Sequence, residues 1–137
     1  MMAELTAEQA VSISRAQVDV DERVPGRAWL VRRLDRPGAA YYLVVFCTES
    51  GSVAVATVDA ATSEVGTSAR LPGGSRHLRI DAARARAIAG ASEESEAELI
   101  WAPGTASRSP LYPLWQVAGP NGRVYVDQRG VVWKGLR

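Results

Sequence analysis

The chain carries the same pattern of segments twice. Tyr41-Tyr42-Leu43-Val44-Val45-Phe46 passes through a turn at Glu49-Ser50-Gly51 into Val53-Ala54-Val55-Ala56-Thr57-Val58-Asp59. Further on, Tyr112-Pro113-Leu114-Trp115-Gln116-Val117 passes through Gly119-Pro120-Asn121-Gly122 into Val124-Tyr125-Val126-Asp127. Each block ends in another turn and a valine strand, at Glu64-Val65 and Val131-Val132, and a helix-like segment precedes each. A helix followed by an antiparallel meander buries one face of a twisted sheet. One such unit is at the lower size limit for a stable core, which gives the duplication a physical reason. The expected fold class is therefore α+β. It consists of two α-β-β-β-β units, residues 1–70 and 81–137, joined by a linker at 71–80, each a helix packed on an antiparallel sheet.

Local signals place the elements. Thr6 and Gln9 have capping-box spacing, and Ala7, Ala10, Val11, Ser14 and Val18 fall on one helical face. Strands are expected at 28–34, 40–47, 52–59 and 64–69. The 40–47 run is apolar throughout, as suits a strand buried on both faces or under a helix. Leu71-Pro72-Gly73-Gly74-Ser75 reads as a flexible joint. Asp81 is an N-cap for an alanine-rich helix over 82–89, with Gly90 at its C′ position. Further strands are expected at 98–101, 111–118, 123–127 and 131–136, with Asn121-Gly122 as a hairpin turn.

The bulk chemistry excludes several functions. A net charge of +1 supplies no field to draw nucleic acid or an anionic membrane. Cys47 is the only cysteine, so a disulfide-stapled scaffold is excluded. The N-terminus has no positive n-region and no apolar h-region, and no apolar run is long enough to span a bilayer. The expected location is cytoplasmic. There is no Cys-x-x-Cys, P-loop or Gly-x-Gly-x-x-Gly motif. Glu93, Glu94, Glu96 and Glu98 lack the loop pattern of a calcium site and read as a solvated face. No metal, cofactor or catalytic residue is assigned.

The Tyr41–Val45 run, the Val55–Asp59 strand with Thr62–Val65, the Ala7–Val18 helix, and their counterparts Tyr112–Val117 and Val124–Val132 resemble the PepSY family. The family pattern Asp-x-x-Thr-Gly-Glu-Val is met by Asp59-Ala60-Ala61-Thr62-Ser63-Glu64-Val65, with Ser63 in the glycine position. The second copy, Asp127-Gln128-Arg129-Gly130-Val131, lacks the Thr and Glu. The resemblance implies a tandem, cystatin-like fold and a role in binding or restraining peptidases. The layout is also similar to small bacterial immunity proteins.

The leading expectation is a non-catalytic protein- or peptide-binding module, like a peptidase inhibitor or an immunity protein. Trp29, Trp101, Trp115 and Trp133 all fall at predicted strands, and tryptophan and arginine are frequent interface anchors. Core packing is the commoner role for any one strand tryptophan. Arg108, between Ser107 and Ser109 in a long loop, completes the partner-binding candidates as an anion-holding group. The alternative is a small-ligand binder or enzyme with a pocket between helix and sheet, with His77 and Asp81 or Asp59 as its titratable pair. A Cys47–His77 nucleophile is the remaining catalytic arrangement. Open sheet edges also permit a homodimer, with Arg32, Arg33 and Lys134 placed to blunt them.

Overall fold

The computed structural model describes residues 5–136. Met1 to Glu4 lie outside the described residues. The element order is α1 (Ala7–Val18), β1 (Gly26–Arg33), β2 (Ala40–Thr48), β3 (Gly51–Asp59), β4 (Val65–Arg70), α2 (Ala82–Ile88), β5 (Ala97–Trp101), β6 (Leu114–Gly119), β7 (Gly122–Val126) and β8 (Val132–Trp133). The fold is α+β. Among the described residues no helix is long and apolar enough to cross a membrane.

The strands follow the hydrogen-bonded order β4-β3-β2-β1-β5-β6-β7-β8, and the sheet is mixed. This corrects the expectation of two α-β-β-β-β units, each a helix packed on an antiparallel sheet. A strand has two hydrogen-bonding edges, and β1 uses both: β2 lies on one side and β5 on the other. The β5 side is parallel, with Arg32 opposite Ile100 and Arg33 opposite Trp101. Contacts divide the chain into two compact units. The first holds residues 1–31 and 38–77, the second 32–37 and 78–137. The last two residues of β1 thus belong to the second unit.

In the first unit, the Thr6 hydroxyl accepts from the Gln9 amide at 3.1 Å while the Gln9 side chain accepts from the Thr6 amide at 2.9 Å. This capping box starts α1. The helix ends at Asp19, which takes a left-handed conformation (φ 53°). Its freed carbonyls are met by charge: the Arg70 guanidinium donates to the carbonyls of Val18 and Asp19 at 2.9 and 3.1 Å. Ala10 and Val18 of α1 pack on Val44, Phe46, Ala54, Ala56 and Val58 of the sheet. The alanines of β3 let the helix lie close, as the sequence pattern implied. Tyr41, Leu43, Val45, Val55 and Thr57, which point to the opposite face, are buried as well.

The segment expected as a joint is hydrogen-bonded to the β2–β3 turn. The Leu71 amide donates to Val53, the Gly74 amide to Ser50, and the Ser52 amide to the Ser75 carbonyl at 2.9 Å. A side chain at Gly51 would place its Cβ 2.7 Å from both the nitrogen and the oxygen of Ser75, and Gly51 has φ +126°. Only glycine meets both demands.

The two repeated turns are built alike. Asp59 Oδ1 accepts from the amides of Ala61 and Thr62 at 2.8 and 2.9 Å, and the Asp59 amide donates to Glu64. Asp127 Oδ1 accepts from the amides of Arg129 and Val131, both at 2.9 Å, and its own amide donates to Val131. Each turn needs one left-handed residue, filled by Gly130 (φ 84°) in the second and by Ser63 (φ 65°) in the first.

The other hairpin differs from its expected form. Gly119 pairs with Gly122, so the loop residues are Pro120 and Asn121 rather than Asn121 and Gly122. The proline ring holds φ negative, which is incompatible with a turn needing positive φ at both central positions. The strand expected at 111–118 begins only at Leu114, and β8 pairs over two residues instead of the six of 131–136.

Two substitutions test this account. Gly51→Ala should cost on the order of 3 kcal/mol in urea unfolding, from backbone strain and the clash with Ser75. Ser63→Gly should raise stability by up to about 1 kcal/mol in the same assay, because it relieves a left-handed serine.

An open sheet face in the second unit as candidate functional site

Strand register decides which side chains share a face. In the second unit Glu98 lies opposite Gln116, Gln116 opposite Tyr125, and Tyr125 opposite Trp133. Antiparallel partners point to the same side. Arg32 of β1 joins this row: its Nη2 and Nε donate to Glu98 Oε1 at 2.6 and 3.2 Å. The result is a line running Arg32, Glu98, Gln116, Tyr125, Trp133 across five strands.

The two faces of this sheet have different environments. Leu99, Trp101, Trp115, Val117 and Val126 point to the other face and are buried. Helix α2 packs on β5 and β6 with Ala85 fully buried. On the row itself Arg32 and Glu98 are exposed, and Gln116, Tyr125 and Trp133 are half-buried. Ile100 and Leu114, on the same side as the row, are fully buried. The face therefore has an apolar end and an open polar-aromatic band.

Electrostatics along the band are mild. The Glu98 carboxylate raises the Arg32 pKa above its ordinary value, chiefly through its hydrogen bond. Desolvation opposes this, and the charges of Glu98 and Tyr125 add to it. Both partners are about half-exposed, so the pair contributes only about 0.2–1 kcal/mol to stability.

Trp133 anchors the end of the row through the repeated turn. Its Nε1 donates to Asp127 Oδ2 at 3.0 Å. Burial pushes the Asp127 carboxyl up. The Trp133 indole, the Val131 and Arg129 amides and the Arg129 charge together outweigh that and hold it below the usual carboxylate range.

The other predicted residues are dispersed. Trp101 and Trp115 are only 5% and 8% exposed, and both indoles donate inward. Trp101 Nε1 bonds Ser107 Oγ at 3.3 Å, and Trp115 Nε1 bonds the Ile80 carbonyl at 2.7 Å. Trp29, in the first unit, is half-buried with the Arg27 guanidinium 4.7 Å over its ring. Arg108 is exposed, but Ser107 turns inward and donates to the Tyr112 carbonyl at 2.6 Å, so the three do not form one anion cradle.

Cys47 and the backbone of His77 meet at one hydroxyl. Ser52 Oγ lies 3.3 Å from the Cys47 sulfur and accepts from the His77 amide at 2.8 Å. Asp59 is engaged in its turn, and Asp81 Oδ1 caps α2 through the Arg84 amide at 2.8 Å. Among the described residues no group of three His, Cys, Asp or Glu side chains converges as a metal site. An open groove of about 720 Å³ lies beside the turn after α1, lined by Asp21, Arg23, Val24, Pro25, Cys47, Thr48 and Glu49. The space between α1 and its sheet is filled by core side chains.

Sequence reasoning missed Gln116 and Tyr125. The signal was present: Gln116 is the polar interruption of an otherwise apolar strand, which marks the open side under period-2 alternation. Comparison with protein-family profiles, curated proteins and solved structures finds no match.

Asp127→Asn should cost about 1.5–3 kcal/mol at neutral pH, because it weakens a charged acceptor of three donors. A carboxyl with a depressed folded-state pKa contributes fully above its unfolded value of about 3.9 and loses that contribution as pH falls through the folded value. The gap in urea midpoint between wild type and variant should therefore start to close below about pH 4 and be gone once pH lies below the folded value. A gap that persists there would assign the turn's stability to shape rather than charge.

Proposed function

We propose that this chain is a non-catalytic protein-binding module whose partner docks on the open face of the second unit's sheet. One observation carries the reading. Tyr125, Trp133, Gln116 and the Arg32–Glu98 pair form a continuous band that stays accessible, while the opposite face is buried and carries α2. Tyrosine and tryptophan give large contact area at little entropic cost, and arginine pairs bidentately, so this composition suits protein recognition.

The proposal includes kinship with tandem PepSY-like, cystatin-like modules, and so an inhibitor-like or immunity-like role. The matching Asp59 and Asp127 turns support that kinship. A protein partner, rather than nucleic acid or a membrane surface, fits a net charge of +1. The unpaired Cys47 thiol fits a reducing compartment such as the cytoplasm.

A second reading takes the groove beside Cys47 as a small-ligand site. The two are separable. Gln116→Lys and Tyr125→Ala alter the band at exposed or half-exposed positions and should leave the thermal midpoint within about 2–4 °C of wild type. A protein captured from host lysate should bind these variants at least about tenfold more weakly. It should bind Arg108→Ala normally. Equal capture by all three variants would remove the open face from the account. A co-purifying small molecule displaced by alkylation of Cys47 would favour the groove.

A further inference from the structure

The open row across the second unit reads as a chemical palindrome. Its five strands run β1, β5, β6, β7, β8, with β6 at the centre and β8 at the end of the strand order. Arg32 stands at one end of the row and Trp133 at the other, while Glu98 and Tyr125 flank the central Gln116. Each residue on one side of β6 therefore has a chemical complement on the corresponding strand of the other side. Arginine stacks on tryptophan, and this chain already does so with Arg27 4.7 Å over Trp29 and Arg33 5.1 Å over Trp101. A phenol donates to a carboxylate, and one amide pairs with another. Among the described residues neither the Tyr125 hydroxyl nor the Gln116 amide makes a side-chain hydrogen bond.

A second row lies beside the first and repeats the pattern. Ala118 is two residues beyond Gln116 and pairs with Arg123. On its other side the ladder continues one residue ahead of β5, where the Ala118 amide donates to the Glu96 carbonyl at 3.5 Å. Period-two alternation puts Glu96, Ala118 and Arg123 on the same side as Glu98, Gln116 and Tyr125. All three are exposed. Among the described residues Glu96 and Arg123 enter no ion pair. A small residue on β6 thus separates an unpaired anion beside β5 from an unpaired cation on β7.

We propose that this face docks on the same face of a second copy of this chain, about a two-fold axis along β6. The proposal rests on the open-face reading and names its occupant. Rotation about that axis keeps position along the strands and exchanges β1 with β8 and β5 with β7. Arg32 then meets Trp133 of the second copy, Glu98 meets Tyr125, and Glu96 meets Arg123. Gln116 and Ala118 meet their own counterparts on the axis. Each off-axis contact occurs twice, as an isologous interface requires. The other in-plane axis, running along the row, would set Arg32 on Arg32 and Glu98 on Glu98, and such like-charge juxtaposition is disfavoured. A surface made for an unrelated partner has no cause to complement its own reverse. The row spans four strand spacings, about 19 Å, so the contact is smaller than a standard interface and the dimer is a weak one.

Sedimentation equilibrium of the full chain, from about 10 μM to about 1 mM, tests it. The average mass of wild type should rise from one copy toward two across that range. Glu96→Arg and Arg123→Glu should each weaken the dimer at least about tenfold. The double variant should return to wild-type association, because the exchanged charges again meet across the axis. Gln116→Lys, which sets two cations together on the axis, should stay monomeric. Thermal midpoints of all four should lie within about 2–4 °C of wild type. A wild type that stays monomeric at about 1 mM overturns the proposal, as does a double variant that associates no more tightly than either single one. A monomeric wild type whose captured protein is lost by Gln116→Lys and Tyr125→Ala would keep the open face and replace the second copy by a different protein.

Discussion

The first unit depends on a hydrogen-bonded ladder with little water on either face. Eight register pairs join β2 to β3, from Tyr41–Asp59 to Thr48–Gly51. Leu43, Val44, Val45 and Phe46 are buried whichever way they point. A backbone group left unpaired in that layer would lose its hydrogen bond to water and gain nothing. Other features follow from this demand. Where β4 slips register, the Thr57 hydroxyl serves the Thr67 amide in place of a ladder bond. Where β3 begins, Ser75 accepts from the Ser52 amide, and Gly51 leaves room for that segment to come close.

The repeated turns show the same requirement met by side chains. Aspartate at the start of a turn accepts from amides that the reversing chain cannot pair elsewhere. In the first copy Asp59 serves the amides of Ala61 and Thr62 in this way. In the second the same carboxylate has a further partner, the Trp133 indole, and so ties a local turn to an aromatic ring at the end of the open band. The aspartate that holds a turn in both repeats thereby also holds an aromatic ring in the second. The cost of burying Asp127 is offset by three donors and a neighbouring arginine.

In the second unit Trp101 and Trp115 separate from Trp133 according to face and not according to sequence neighbourhood. Trp115 and Gln116 are adjacent in the chain, yet one is buried with its indole on a backbone carbonyl and the other lies in the open band. Successive strand residues point to opposite sides, so a strand can belong to a core and to a binding surface at once. Helix α2, seven residues long, packs on β5 and β6.

Much of the local structure was legible in the residues. The Thr6–Gln9 capping box, the α1 face, the doubly buried β2, the small-residue face of β3, the Asp81 cap and the Asp59 and Asp127 turns all follow from interactions within a few positions. The parallel pairing of Arg32 and Arg33 with Ile100 and Trp101 was not legible, because it joins residues far apart in the chain and leaves no local mark. Nor was the late start of β6, where Pro113 cannot donate to a ladder, or the brevity of β8. The open band was visible only as a single polar residue in an apolar run until register placed Gln116 beside Glu98 and Tyr125. The sequence by itself determined the helix caps, the aspartate turns and most of the strands, since those energies are local. Tertiary structure alone decided which strand edges meet and which faces stay open, since a strand presents two edges and two faces and only its neighbours choose among them.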